Sequence, residues 1–204
     1  MTKLNAVSLA SLLVSAVALA DTVDNPGDFN LTFDNGVLKI GTLDPISQIS
    51  QLTLAGSVDG DGNVTIPAAG IVLPDFQVPS PVGPVTVRFV PLADATGTLI
   101  PLTGEATAAV SYRISLIHPL LPDTCGIGPI DINLTTDQDG DYLGVPYSTD
   151  DGTATYVNGT FGVPGSDGCG GLEGAIDGLI GLPAPSGNYV DGLHGQFDTI
   201  FVGS

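Results

Sequence analysis

The chain has no tryptophan, one methionine, two cysteines, two histidines and four cations among its 204 residues. Each shortage excludes something. Sugar-binding sandwiches rely on exposed aromatic platforms, Trp above all, and here only five tyrosines could serve. Lys3, Lys39, Arg88 and Arg113 face 22 acids, for a formal net charge of −18. Nucleic acid and anionic membranes repel such a chain, so neither is an expected partner. His118 and His194 are the only histidines and there is no Cys-x-x-Cys, which leaves no zinc or thiol-redox motif. No Gly-x-Ser-x-Gly elbow occurs, and "GSDGCGG" at 165–171 only scrambles a serine-protease signature.

Long apolar runs are also missing, with one exception. Residues 4–20 are rich in Leu, Val, Ala and Ser, follow Lys3, and end in Ala18-Leu19-Ala20 before Asp21. A basic start, an apolar middle and small residues at a cleavage position predict a signal peptide over 1–20. A membrane anchor needs roughly 20 apolar residues, more than this run supplies. No transmembrane segment is expected after it, and no cysteine follows Ala20 to take a lipid. The expected product is residues 21–204, exported to the medium or the cell surface as a single domain. In that setting the isolated pair Cys125 and Cys169 reads most simply as one disulfide.

What the chain does have is alternation. Phe29, Leu31 and Phe33 are separated by Asn30 and Thr32. The same period of two runs through Val85, Val87 and Phe89, through Val110, Tyr112, Ile114 and Leu116, and through Ile130, Ile132 and Leu134. That is the signature of half-buried strands. Between the runs lie turn clusters such as "DNPGD", "PSPVGP" and "TDDGT". About ten strands at this spacing predict an all-β fold, a sandwich or barrel, and we expect a β-sandwich. One segment departs from it. In 172–182, Leu172, Ile176, Leu179 and Ile180 fall at helical spacing, which predicts one short helix near the C-terminus.

Two acidic loops imitate a calcium site. Asp59, Asp61 and Asn63 occupy positions 1, 3 and 5 of such a loop, and so do Asp137, Asp139 and Asp141. Both lack the glycine at position 6 and the closing glutamate at position 12. Asp-Gly between alternating runs favours a hairpin turn. Ca2+ therefore needs further oxygens from elsewhere, and no other cofactor is indicated. Tyr142, Tyr147 and Tyr156 cluster in sequence beside the second loop and suggest either a small ligand patch or packed hairpin tyrosines. Asn-x-Thr occurs at Asn30, Asn63, Asn133 and Asn158.

The second half carries "TCGIGPIDINLTT" and then "YVNGTFGVPGSDGCGGLEGAIDGLIGLPAPSGNYVDGLHGQF". This pattern resembles a group of secreted, disulfide-containing, β-rich actinobacterial proteins of uncharacterised function. Its shared features are Cys125, the Gly159-Thr160-Phe161 strand, the Cys169-Gly170 pair, the apolar helix and the terminal strand. The resemblance implies export, a disulfide and a β-fold, and transfers no catalytic residue. The expected function is non-catalytic: structural, adhesive or ligand-binding, with a cell-envelope or extracellular polymer, or another copy, as partner. The alternative is a secreted hydrolase of polysaccharides or esters working through paired aspartates. A further reading makes the protein an apolar-ligand carrier, with residues around helix 172–182 lining a cavity instead of filling it.

Overall fold

The computed structural model describes residues 22–47, 51–80 and 83–201. The predicted signal peptide lies outside them. Fifteen strands and one α-helix follow in order: β1 (Gly27–Lys39), β2 (Ile46–Ser47), β3 (Thr53–Val58), β4 (Asn63–Ile66), β5 (Ile71–Val72), β6 (Phe76–Val78), β7 (Val85–Pro91), β8 (Ala95–Leu99), β9 (Ala106–Ile117), β10 (Gly126–Thr135), β11 (Gln138–Asp139), β12 (Tyr142–Leu143), β13 (Thr153–Val163), β14 (Ser166–Asp167), α1 (Glu173–Ile180) and β15 (Ala184–Phe197). The fold is all-β with a single short helix near the C-terminus. A 3-10 turn at Ala68–Gly70 precedes β5.

Thirteen strands belong to one antiparallel sheet; β11 and β12 make a small second one. The main path runs β10-β13-β15-β1-β3-β4-β8-β9, and β9 then pairs with β10. The sheet therefore closes on itself, and the layers expected of a sandwich are opposite walls of one continuous sheet. Strand β9 is the hinge of this arrangement. One edge pairs with β10 along its length, from Thr107↔Thr135 to Ser115↔Gly126. Its other edge pairs first with β8, at Ala106–Ala109 opposite Thr96–Leu99, and then with β7, from Tyr112↔Pro91 to Ile117↔Thr86. At the β7 end the wall continues into β6, which leaves the closed ring.

The alternating residues face the interior. Phe29, Leu31 and Phe33 are buried on β1, Ile114 and Leu116 on β9, and Ile130 and Ile132 on β10. Three strands change phase midway. On β1 the buried positions switch from odd (29, 31, 33) to even (38), across register shifts at Asn35. On β13 they switch from Ala154 and Tyr156 to Phe161 and Val163. On β15 they switch from Val190 to Leu193, around Gly192, whose φ of +59° suits glycine. A bulge adds one residue, bends the strand and returns the apolar set to the interior.

Small and large side chains divide the interior. At one end Phe29, Tyr147, Phe197 and Phe201 form a cluster with ring centroids 5.3–5.8 Å apart. Ala106 and Ala108 of β9 lie against this end, where about 40 Å³ is left unfilled. That is room for about one water molecule. The other end holds aliphatic side chains and the helix.

Candidate functional site

Helix α1 is short, carries three of its ten flanking and internal positions as glycine across 172–181, and depends on its attachments for stability. Cys169, just before it, forms a disulfide with Cys125 at the entrance to β10. The Glu173 carboxylate accepts from the Cys169 backbone N–H at 2.8 Å, and Asp177 accepts from Ser166 N–H at 2.8 Å. The Glu173 backbone N–H, together with that of Cys169, holds the Glu173 carboxyl below its ordinary pKa. At the other end Gly181 adopts a left-handed C-cap and its N–H returns to the Asp177 carbonyl. The Ile180 carbonyl accepts from Thr42 N–H at 2.7 Å. Next to that contact, fully buried Asn188 takes Gly41 N–H on Oδ1 and donates Nδ2 to the Phe161 and Ala184 carbonyls. One side chain thereby joins the loop after β1 to β13 and β15, with every polar atom satisfied.

Held in this way, α1 lies over the end of the sheet without filling it. Ile176 and Ile180 face Ile114 and Leu116 of β9 and Phe76 of β6 across a cavity of about 500 Å³. A packed interior leaves few voids larger than a water molecule, so this space is far outside the range of packing defects. Its size is within that of small-molecule sites. The lining is apolar apart from Ser80 and His118. Leu120, Leu172 and Leu179 belong to it and are also exposed, which marks where it opens to the surface. Phe89 lines this cavity and also a void of about 100 Å³ deeper in the sheet.

The acidic loops are turns. Asp59 accepts from the backbone N–H of Asp61 at 3.0 Å and of Asn63 at 2.8 Å, and from Asn63 Nδ2 at 2.9 Å. These bonds, led by the Asn63 side chain, lower the Asp59 pKa and close the β3–β4 hairpin. Asp137 accepts from Gln138 N–H at 2.7 Å, and Asp139 accepts from Gly159 N–H at 2.6 Å. Asp141 stands apart at the exposed tip between β11 and β12. Among the described residues no group of three or more His, Cys, Asp or Glu could hold a metal ion.

The three tyrosines are not brought together. Tyr142 stacks on Tyr189 at 4.7 Å on the surface. Tyr147 is buried in the aromatic cluster, its hydroxyl accepting from Phe201 N–H and donating to the Thr199 carbonyl at 3.3 Å each. Tyr156 points inward from β13 and meets Phe33 edge-on. Burial raises the pKa of Tyr156, and of Tyr112 on β9, above the ordinary range. Asn158, one of the four Asn-x-Thr sites, is buried, with Nδ2 donating to the Asn133 carbonyl at 2.7 Å.

Among the described residues the buried polar ones are Thr136, Asn158 and Asn188. His194 pairs through Nδ1 with exposed Asp34 at 2.9 Å. Sequence periodicity marked the cavity-facing residues of α1, β7 and β9 but not the space between them. No helix of the described residues is long and apolar enough to cross a membrane. No known protein family, curated protein or solved structure matches the chain.

Proposed function

We propose that this is an exported, non-catalytic protein that binds an apolar small molecule in the cavity beneath α1. The cavity of about 500 Å³ carries the reading. Its walls are apolar apart from Ser80 and His118, it opens to the surface beside Leu120 and Leu179, and its covering helix is fixed by a disulfide. Export is supported by the signal-like pattern of 1–20 and by the disulfide, and it agrees with the resemblance to secreted actinobacterial proteins. Burial of an apolar ligand would contribute about 25 cal/mol for each Å² withdrawn from water.

The test is titration of residues 21–204 with the neutral fluorophore N-phenyl-1-naphthylamine. We expect saturable enhancement at about one site per chain, with a rise in melting temperature as the probe is added. Leu179→Trp, which places a large ring at the opening, should weaken binding while leaving the melting temperature of the free protein nearly unchanged. Absence of saturable binding, or binding indifferent to Leu179→Trp, would remove the reading.

A further inference from the structure

Resting on that reading, we propose that the ligand is an uncharged apolar molecule of about 20 heavy atoms with one oxygen acceptor, which His118 receives. The size follows from the volume. A dry apolar cavity of about 150 Å³ accepts benzene, with six heavy atoms. By proportion, about 500 Å³ accepts roughly three times as many.

The charge follows from the cations. Lys39, Arg88 and Arg113 are the cations of the described residues; each already has a partner, and none lines the cavity. Lys39 donates to the Leu43 carbonyl. Arg88 pairs with Asp75 at 2.6 Å. Arg113 pairs with Asp167 and also donates to the Thr124 carbonyl at 3.2 Å. The helix over the cavity carries Glu173 and Asp177. An ionised carboxylate or phosphate placed inside would lose its hydration and gain no counter-charge. A neutral head group loses much less.

The acceptor follows from the tautomer of His118. Its Nδ1 accepts from the Leu120 backbone N–H at 3.2 Å, so in the neutral imidazole the proton sits on Nε2. That nitrogen lies beside Gly83. The Ser80 hydroxyl donates to the Gly83 carbonyl at 2.6 Å. The two polar side chains of the lining therefore meet at one corner of an otherwise apolar wall. Among the described residues no acceptor lies on Nε2–H, and a hydroxyl, ester or ketone oxygen at that corner would supply one.

The experiment displaces N-phenyl-1-naphthylamine from residues 21–204 at pH 8 with hexadecanol, hexadecanoate and hexadecane. Hexadecanoate is ionised at that pH. We expect hexadecanol to displace the probe at least tenfold more strongly than hexadecanoate and about fivefold more strongly than hexadecane. His118→Phe should bring hexadecanol down to the level of hexadecane and leave hexadecane unaffected. His118→Gln, which keeps an N–H donor, should retain part of the preference. Displacement by hexadecanoate equal to that by hexadecanol overturns the proposal. So does a preference for hexadecanol that survives His118→Phe, and so does a bound probe that none of the three displaces; in each case the cavity remains a binding site. Failure of the probe itself to bind overturns the carrier reading instead.

Discussion

The two ends of the closed sheet are built from the same strands and solve different problems. Along β9 the inward residues run Ala106, Ala108, Val110, Tyr112, Ile114 and Leu116. At the alanine end, rings from β1, β15 and the C-terminal segment fill the space opened by the small residues, and about 40 Å³ is left over. At the isoleucine and leucine end no ring crosses the interior beyond Phe76 and Phe89, and about 500 Å³ is left. Both ends belong to the same sheet, although β10 meets β13 in register only at Thr135↔Val157. The difference lies in the side chains set opposite each other, which means that one end contributes packing and the other contributes space.

Phe33→Ala would damage the filled end most. A buried ring removed from a tight site costs about 3–5 kcal/mol, read as a lower midpoint in urea unfolding. Leu116→Ala on the cavity wall should cost much less than a typical core deletion, because its side chain already borders unfilled volume. Equal losses at the two sites would break the comparison. Replacing Cys125 and Cys169 together by Ser should cost about 2–4 kcal/mol, since the bridge closes 44 residues of chain. That change should also weaken probe binding, because α1 loses its tie, whereas Phe33→Ala at equal destabilisation should not.

Overfilling gives a smaller and opposite contrast. Ile176→Phe extends further into the cavity and should change stability by less than about 1 kcal/mol while competing with the probe. Ala108→Leu has rings and neighbouring strands before it and should cost about 1–3 kcal/mol. Differential scanning calorimetry of both variants, with and without probe, separates space from packing.

Acid gives the smallest effect, shared by both ends. The Arg113 guanidinium beside Asp167, at the cavity end, holds that carboxyl below its ordinary pKa. At the aromatic end the Asn30 side chain and backbone N–H do the same for Asp198, at 2.7 Å each. A carboxyl whose folded pKa is depressed stabilises the fold above its unfolded value of about 3.9, and that contribution is lost as pH falls through the folded value. The melting temperature should therefore fall below about pH 4. Asp198→Asn should flatten part of that fall. Both carboxylates are exposed, so the shift per site is small.

Much of the wall was legible in the sequence. Alternation placed Val87 and Phe89, Ile114 and Leu116, and Ile130 and Ile132 on inward faces, and helical spacing found α1 within two residues at each end. Local pattern does not carry the phase changes in β1, β13 and β15, because a bulge is defined by the partner strand's register. The neighbourhood of Tyr142, Tyr147 and Tyr156 in sequence misled for a related reason. One tyrosine sits on the surface hairpin, one turns into the aromatic cluster and one points inward from β13. The cavity was only half legible. Periodicity gives the direction of a side chain, and volume depends on what stands across from it. Asp59, Asp61 and Asn63 were readable as a turn because the Asx geometry is local.

Closure of the sheet has a colloidal consequence. A strand paired on both sides offers no edge for a neighbouring molecule to copy, so the template for fibrous growth is confined to strands outside the ring and to β10 and β13 away from their single pairing at Thr135↔Val157. One of these, β6, is three residues long and stands between Pro74 and Pro79, neither of which has an N–H to donate. An apolar chamber with leucines exposed at its mouth becomes more tolerable when few backbone edges stand open beside it.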